Sequence, residues 1–354
     1  MKKTLVLKVC AQKPEIEKIR IAADFIKKGG LVAFPTETVY GLGADALNPK
    51  AVLALFEAKR RPLDNPPIVH VGNPQEVYKL AKEVPAKAKV LMEKFWPGPL
   101  TLIFKRSKIV PDVTVSGLDT IAIRMPRHNV ALALLRESGC PISAPSANLA
   151  GKPSPTTAEH VLEDLDGRID VVLDAGPTHI GVESTVLDLT ADPPQVLRPG
   201  GTPYEDLMQV LGVVRLHPAT IAEKEVSVEK ARSPGLKHKH YAPNADLIVV
   251  EGEMPAIIRK VKELVDSYIA GGAKVGVLAT DETVNQYSRG VVKSLGNRSD
   301  LALAAKNLFR LLREFDKEGV NIIIAEGIPL EGLGLAVMNR LRKASGYKII
   351  KAVD

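Results

Sequence analysis

Short runs of β-branched and aliphatic residues, each bounded by Pro or Gly, recur along this chain, and the way they recur changes once. Before His217 the runs LVLKV, LVAFP, IVHV, TLIFK, TIAIRMP, DVVLDAG and STVLDLT predict strands, with helices over Pro14–Lys28 and Pro49–Lys59. Irregular Pro-Gly punctuation between them (WPGPL, LRPGGTP) points to a mixed, twisted sheet rather than a regular parallel one. Beyond Pro243 the alternation is cleaner: DLIVVEG, KVGVLAT and NIIIAEG predict strands, and Ala256–Ala270 and Leu301–Glu318 predict helices, the pattern of a small parallel α/β sheet. Between the two lie the polar segment PATIAEKEVSVE and the stretch SPGLKHKHYAP, Ser233–Pro243. A chain of 354 residues suits two cores. The expected organisation is α/β throughout: a first domain over 1–217, a linker over 218–244 and a second domain over 245–354.

Composition narrows the function classes. Hydrophobic residues at 45% and charged residues at 25% are ordinary for a globular protein, so disorder is excluded. The net charge of +7 comes without a basic tail, which leaves nucleic-acid binding without its usual footprint but keeps phosphate-bearing small molecules compatible. Two cysteines, Cys10 and Cys140, cannot make a disulfide scaffold or a cysteine metal site, and both are expected to be buried small residues. The opening MKKTLVLKVCAQK reads as a strand, not a signal peptide, and no apolar run is long enough to span a bilayer. A soluble, cytoplasmic protein is expected.

Familiar catalytic motifs are missing: there is no GxxxxGK[ST], HExxH, CxxC or GxSxG. The second domain also lacks a Gly-rich turn after its first strand, so a nucleotide is not expected there. What remains is polar groups in loops beside strands. Thr36 and Thr38 follow LVAF, where Gly41 and Gly43 could simply give a turn its backbone freedom. Lys59, Arg60 and Arg61 end a helix and precede a proline-stiffened loop, an arrangement that suits a phosphate chain. His70 interrupts an apolar strand, and PISAPSANLAGKPSPT crowds hydroxyls and amides that can cradle an anion. Arg124 and Arg198 each close an otherwise apolar run and therefore require buried partners, for which a structural carboxylate suffices. No His–Asp pattern supports a serine nucleophile.

Taken in order, PTETVYGLG, the K-x-R of Lys59 and Arg61, DNPPIVHV, TIAIRMP, the S-x-N of Ser146 and Asn148, ESTVLDL and VLRPG resemble the threonylcarbamoyl-AMP synthase family, the YrdC-like enzymes. SPGLKHKHYAP and the closing GLGLAVMNRLRKAS resemble its long form, which adds a linker and a smaller Rossmann-like domain. The resemblance implies a YrdC-like twisted mixed sheet with helices in the first domain. It implies an activity that joins L-threonine, bicarbonate and ATP into threonylcarbamoyl-AMP with release of pyrophosphate. Mg²⁺ would be carried by ATP and not held by the protein, and the product would pass to a separate tRNA threonylcarbamoyl transferase. Carried over by position, Thr36, His70, Arg124 and Ser184 would surround threonine, with Thr38 able to replace Thr36. Lys59, Arg61, Asn65, Thr120, Ser146, Asn148, Ser154 and Arg198 would line the nucleotide, Lys59 and Arg61 being the residues expected to serve catalysis. Tyr241 would stand near the nucleotide and Lys237, Lys239 or His240 near its phosphates, making the linker a lid. No role follows for Arg60.

Two rival readings come from the same resemblance. One is a tRNA- or RNA-binding module without synthase activity; aromatic residues at only 4% argue against base stacking, so weak tRNA binding is at most a secondary property. The other is carbamoyl transfer as in hydrogenase maturation, which needs zinc-finger cysteines that this chain lacks.

Overall fold

The computed structural model describes residues 3–227, 231–234 and 240–353. Two compact units emerge, one of Met1–Ala150, Ser154–Thr220 and Ser227–Lys237, the other of Gly151–Pro153, Ile221–Val226 and His238–Asp354. The expected parts, 1–217, a linker over 218–244 and 245–354, follow one another in sequence, whereas in these units two short segments leave their sequence neighbours. Gly151–Pro153 joins the second unit through hydrogen bonds from Ala242 N to Gly151 O (2.8 Å) and from Arg313 Nη2 to Pro153 O (2.7 Å). Ile221–Val226 joins it through Arg342, whose Nη1 donates to Ile221 O at 3.0 Å, and through Lys351, paired with Glu223 at 2.5 Å.

The first unit is built on one eleven-stranded mixed sheet. Its spatial order runs Leu5–Lys8, Val171–Asp174, Val32–Pro35, Tyr40–Asp45, Ile142–Ser143, Val69–His70, Thr120–Arg124, Leu100–Lys105, Thr185–Asp188, Gln195–Arg198 and Arg215–Leu216. The strand around Val32 shows why its sequence is apolar at every place. Val32 and Phe34 enter a core with Ile19, Ile26 and Leu134, whereas Leu31 and Ala33 enter another with Leu55, Leu42 and Val161. Alternate side chains point to opposite faces and both faces are covered, so neither face tolerates a polar period.

Residues 34–43 form a hairpin, not a strand followed by a turn. Val32–Pro35 pairs antiparallel with Tyr40–Asp45, Val32 opposite Gly43 and Pro35 opposite Tyr40. Gly41 and Gly43 are strand residues valued for what they lack. A Cβ on Gly43 would lie 2.8 Å from Ile142 Cγ2 and 2.9 Å from Phe34 Cε1, so the glycine permits close approach rather than backbone freedom.

The helix Pro49–Lys59 has both of its boundary signals in the sequence. Asn48 caps it by accepting from Lys50 N and Ala51 N, with Pro49 in the first turn. Arg60 ends it in the left-handed conformation, φ 51°, and Arg61 N then donates to Phe56 O at 2.9 Å, so the middle base of the run is the helix stop.

The second unit has a five-stranded, all-parallel sheet in the order Val291–Ser294, Val275–Ala279, Ile322–Glu326, Asp246–Gly252, Ile349–Ala352. Its helices Met254–Ala270 and Leu301–Lys317 fall where the pattern predicts them. The helix Leu333–Ala344 occupies the GLGLAVMNRLRKAS stretch. Neither cysteine is a core residue: Cys10 is exposed and Cys140 half-buried. Among the described residues no helix is long and apolar enough to cross a membrane.

Candidate functional site

The polar residues singled out in the first unit fall into two linked groups. One centres on Arg124, whose strand runs parallel to Val69–His70 with His70 as its register partner. Arg124 donates from Nε to Gly98 O at 3.2 Å and from Nη1 to Thr38 Oγ1 at 3.1 Å. Thr38 Oγ1 lies 2.8 Å from Thr36 Oγ1, which donates to Val39 O at 2.7 Å and so holds the tip of the hairpin. Thr36 and Thr38 are thus both in place: Thr38 touches the arginine and Thr36 fixes Thr38. The expected carboxylate partner of Arg124 is Glu37, its Oε2 being 2.7 Å from Nη2.

His70 is buried, with Nδ1 3.1 Å from Ile68 O. Burial, reinforced by the Arg124 charge, pushes its pKa down to about 3, so the ring is neutral at physiological pH. A neutral imidazole donates from Nδ1 to that carbonyl.

The second group centres on Lys59. Its ammonium is buried and donates to Asn148 O at 2.5 Å and to Ser146 O, while its backbone carbonyl accepts from Ala150 N at 2.9 Å. One lysine thereby shapes the whole Ser146–Ala150 loop. Burial, helped by the neighbouring Arg61 charge, draws the Lys59 pKa well below its usual value. Arg61 braces the proline-rich loop, donating from Nε to Asn65 O at 2.9 Å and from Nη2 to Pro66 O at 3.3 Å. Asn65 is buried and its Oδ1 has no hydrogen-bond donor among the described residues. Leu149 N donates to Asp164 Oδ2 at 3.1 Å, which fixes the far side of the loop.

Ser184, Ser154 and Arg198 tie these groups to the remaining strands. Arg198 donates to Ser184 O from Nε and Nη2 at 3.1 and 2.9 Å, and from Nη2 to Ser184 Oγ at 3.2 Å. Ser184 Oγ is 2.8 Å from Thr101 Oγ1, on the strand that pairs with the Arg124 strand. Ser154 Oγ donates to Glu183. The sequence order ESTV…LRPGG has a steric cause here: a Cβ on Gly200 would come within 2.4 Å of Glu183 O, Ser184 C and Thr185 N. Only glycine lets the two segments cross.

Thr120 stands apart from this network. It opens the strand that Arg124 closes, is buried in register with Lys105, and its side chain makes no hydrogen bond to the other residues named above. Tyr241 belongs to the second unit, where it is buried, has φ 63°, stacks on Phe309 at 5.6 Å and lies under the Arg340 guanidinium at 5.4 Å. His240 packs beside it, with ring centroids 5.4 Å apart. Lys237 and Lys239 lie outside the described residues.

Three participants carry too little local signal to be read from the sequence. Glu37 hides inside a threonine-rich motif, Thr101 sits in an apolar strand, and Glu183 matters because Ser154, 29 residues earlier, reaches it. Among the described residues no group of three or more His, Cys, Asp or Glu could hold a metal ion.

This geometry has close parallels. Residues 24–200 match the Sua5–YciO–YrdC family, described as "Telomere recombination", and residues 202–346 match "Threonylcarbamoyl-AMP synthase, C-terminal domain". The threonylcarbamoyl-AMP synthase of Pyrococcus abyssi is 52% identical over 98% of this chain and 99% of its own. That of Bacillus subtilis is 50% identical over 94% of each chain. The crystal structure of P. abyssi Sua5 complexed with L-threonine superposes with a TM-score of 0.94 at 52% identity, covering 99% of this chain and 100% of that one. The chain belongs to the threonylcarbamoyl-AMP synthase family, in the long form that carries the additional C-terminal domain.

Proposed function

We propose that this protein is an L-threonylcarbamoyladenylate synthase, a nucleotidyltransferase that joins L-threonine, bicarbonate and ATP into threonylcarbamoyl-AMP and releases pyrophosphate and water. The observation that carries this reading is that one unit holds both Arg124, braced by Gly98 and Thr38, and the Lys59–Arg61 pair beside the Ser146–Ala150 and Asn65–Pro66 segments. Arg124, aligned by Gly98 and Thr38, is suited to grip the carboxylate of threonine. Lys59 and Arg61 place positive charge beside a loop stiffened by their own hydrogen bonds to carbonyls. Full-length relatives bearing the synthase name, and a relative solved with L-threonine, support the same conclusion.

The reaction needs no covalent enzyme intermediate. A carbamate formed on threonine's nitrogen attacks the α-phosphate of ATP, and pyrophosphate leaves. Positioning and neutralisation of charge supply the rate, in keeping with a site rich in Arg, Lys, Ser and Asn. Neutral His70, with its Nδ1–H given to Ile68 O, offers Nε2 as a hydrogen-bond acceptor without adding charge beside Arg124. The donors near the phosphate loop are ammonium, guanidinium, amide and hydroxyl groups, which fits Mg²⁺ held by phosphate and water oxygens and delivered with ATP. Mg²⁺ would offset charge on the triphosphate. Asn65, Thr120, Ser146, Asn148, Ser154, Arg198 and Tyr241 would line the nucleotide, and Ser184 would complete the threonine side. The product would pass, in the cytoplasm, to a separate enzyme that modifies tRNA.

Pyrophosphate release measured with each substrate omitted in turn tests this reading. Release that requires both threonine and bicarbonate is expected; release independent of both would sink it.

A further inference from the structure

Glu37 is the one buried carboxylate of the Arg124 group, and its hydrogen bonding is incomplete. Its backbone is fixed, since Ile180 N donates to Glu37 O at 2.8 Å and Gly181 N to Thr38 O at 3.0 Å. Glu37 is 4% exposed, yet among the described residues neither carboxylate oxygen receives a hydrogen bond. Arg124 Nη2 lies 2.7 Å away but out of line for donation, and that nitrogen also lacks an acceptor among the described residues. The charges of the pair compensate each other, while the directional bonds of both remain open. Buried polar atoms left this way cost free energy and mark places where another molecule completes the set. The His128 imidazole, which feels the Glu37 charge, accepts at Nδ1 from Val130 N, 3.2 Å away, so its donor is Nε2–H, and that group makes no hydrogen bond to either Glu37 oxygen.

An α-amino acid has the complementary pattern. Its carboxylate lacks donors, its ammonium carries three, and the two charges leave one carbon about 3 Å apart. We infer that Glu37 receives the α-ammonium of threonine while Arg124 takes its carboxylate, so that the pair selects a zwitterion over a simple hydroxy acid. The inference rests on the reading of Arg124 as the carboxylate-binding residue. A carboxylate serving only as counter-ion to Arg124 would oppose every incoming carboxylate alike, whereas one that binds the ammonium favours threonine alone.

Titration calorimetry of the full-length protein with L-threonine, and with 3-hydroxybutyrate of matching configuration at C3, separates these cases. For Glu37→Gln, threonine affinity should fall about tenfold or more while 3-hydroxybutyrate affinity holds or rises, collapsing the preference. Both ligands tightening together would reduce Glu37 to a counter-ion; both weakening together would reduce it to a structural residue. Either overturns the inference. Arg124→Ala should lose both ligands, and if it retains both, the parent reading fails on its own. Should Glu37→Gln not fold, a crystal of the wild-type protein with L-threonine decides: the ammonium nitrogen belongs within about 3.2 Å of a Glu37 oxygen. A nitrogen bonded elsewhere, with Glu37 still turned to Arg124 alone, rejects the role.

Discussion

Each unit buries a glutamate among threonines, and the two are treated in opposite ways. Glu326, at the end of a central strand of the second unit, accepts from Tyr287 at Oε1, and from Thr283 at 2.8 Å and Thr280 at 3.4 Å at Oε2. Burial raises its pKa, and the hydroxyl donors only partly oppose that rise. It is a finished structural network. Glu37 has a cation beside it and, among the described residues, no hydrogen bond at either oxygen. Asn65 Oδ1 and Ser143 Oγ in the same unit are likewise buried without partners among the described residues. Burial of polar groups alone therefore does not mark a site; what sets Glu37 apart from Glu326 is a buried charge beside a cation with its hydrogen-bonding positions open.

The largest test of that contrast removes a phosphate-side cation. Lys59→Ala or Arg61→Ala should lower kcat/KM by a factor on the order of 10²–10³ and weaken ATP binding in steady-state kinetics; wild-type turnover would remove the phosphate role. On the finished side, Tyr287→Phe leaves a buried carboxylate oxygen without its donor and should cost about 2–3 kcal/mol in chemical denaturation. Its turnover should stay at the wild-type level, and a matching loss of activity would break the distinction between the two glutamates.

His70 sharpens the contrast through pH. Its folded pKa, about 3, lies below the unfolded value near 6.5, so between these the unfolded state binds more protons and stability falls with acid. From pH 7 to pH 5 the loss from this group is about 2 kcal/mol. Denaturation of wild type and His70→Gln at both pH values should show a smaller acid loss in the variant; equal losses would mean His70 is not held neutral. The smallest effect is expected at Arg60. Replacing it by Gly relieves a left-handed residue and should add about 1 kcal/mol in the same assay without changing turnover.

Much of the fold was legible because its signals are local. Asn48 and Pro49 announce a helix start, and alternating apolar runs announce strands that lie close to where the pattern puts them. The candidate site was proposed through ordered short motifs, and the fold brings Thr38, His70 and Arg124 of those motifs together. What escaped depends on chain segments that meet only in the fold. The strand function of Gly41 is set by Ala144, that of Gly43 by Ile142 and Phe34, and that of Gly200 by the crossing at Glu183–Thr185. Gly151–Pro153 changes unit because of Ala242 and Arg313, which no local pattern near residue 151 reveals. Glu37 reads as one polar residue among three until Arg124 is placed beside it.

The central claim is that these two groups make one adenylate-forming site. Incubation of the protein with ATP·Mg²⁺, L-threonine and ¹³C-bicarbonate, followed by mass spectrometry, tests it directly. The account predicts a threonylcarbamoyl-AMP carrying one ¹³C, with pyrophosphate in equal amount. AMP or ADP formed without any ¹³C-labelled adenylate would contradict it.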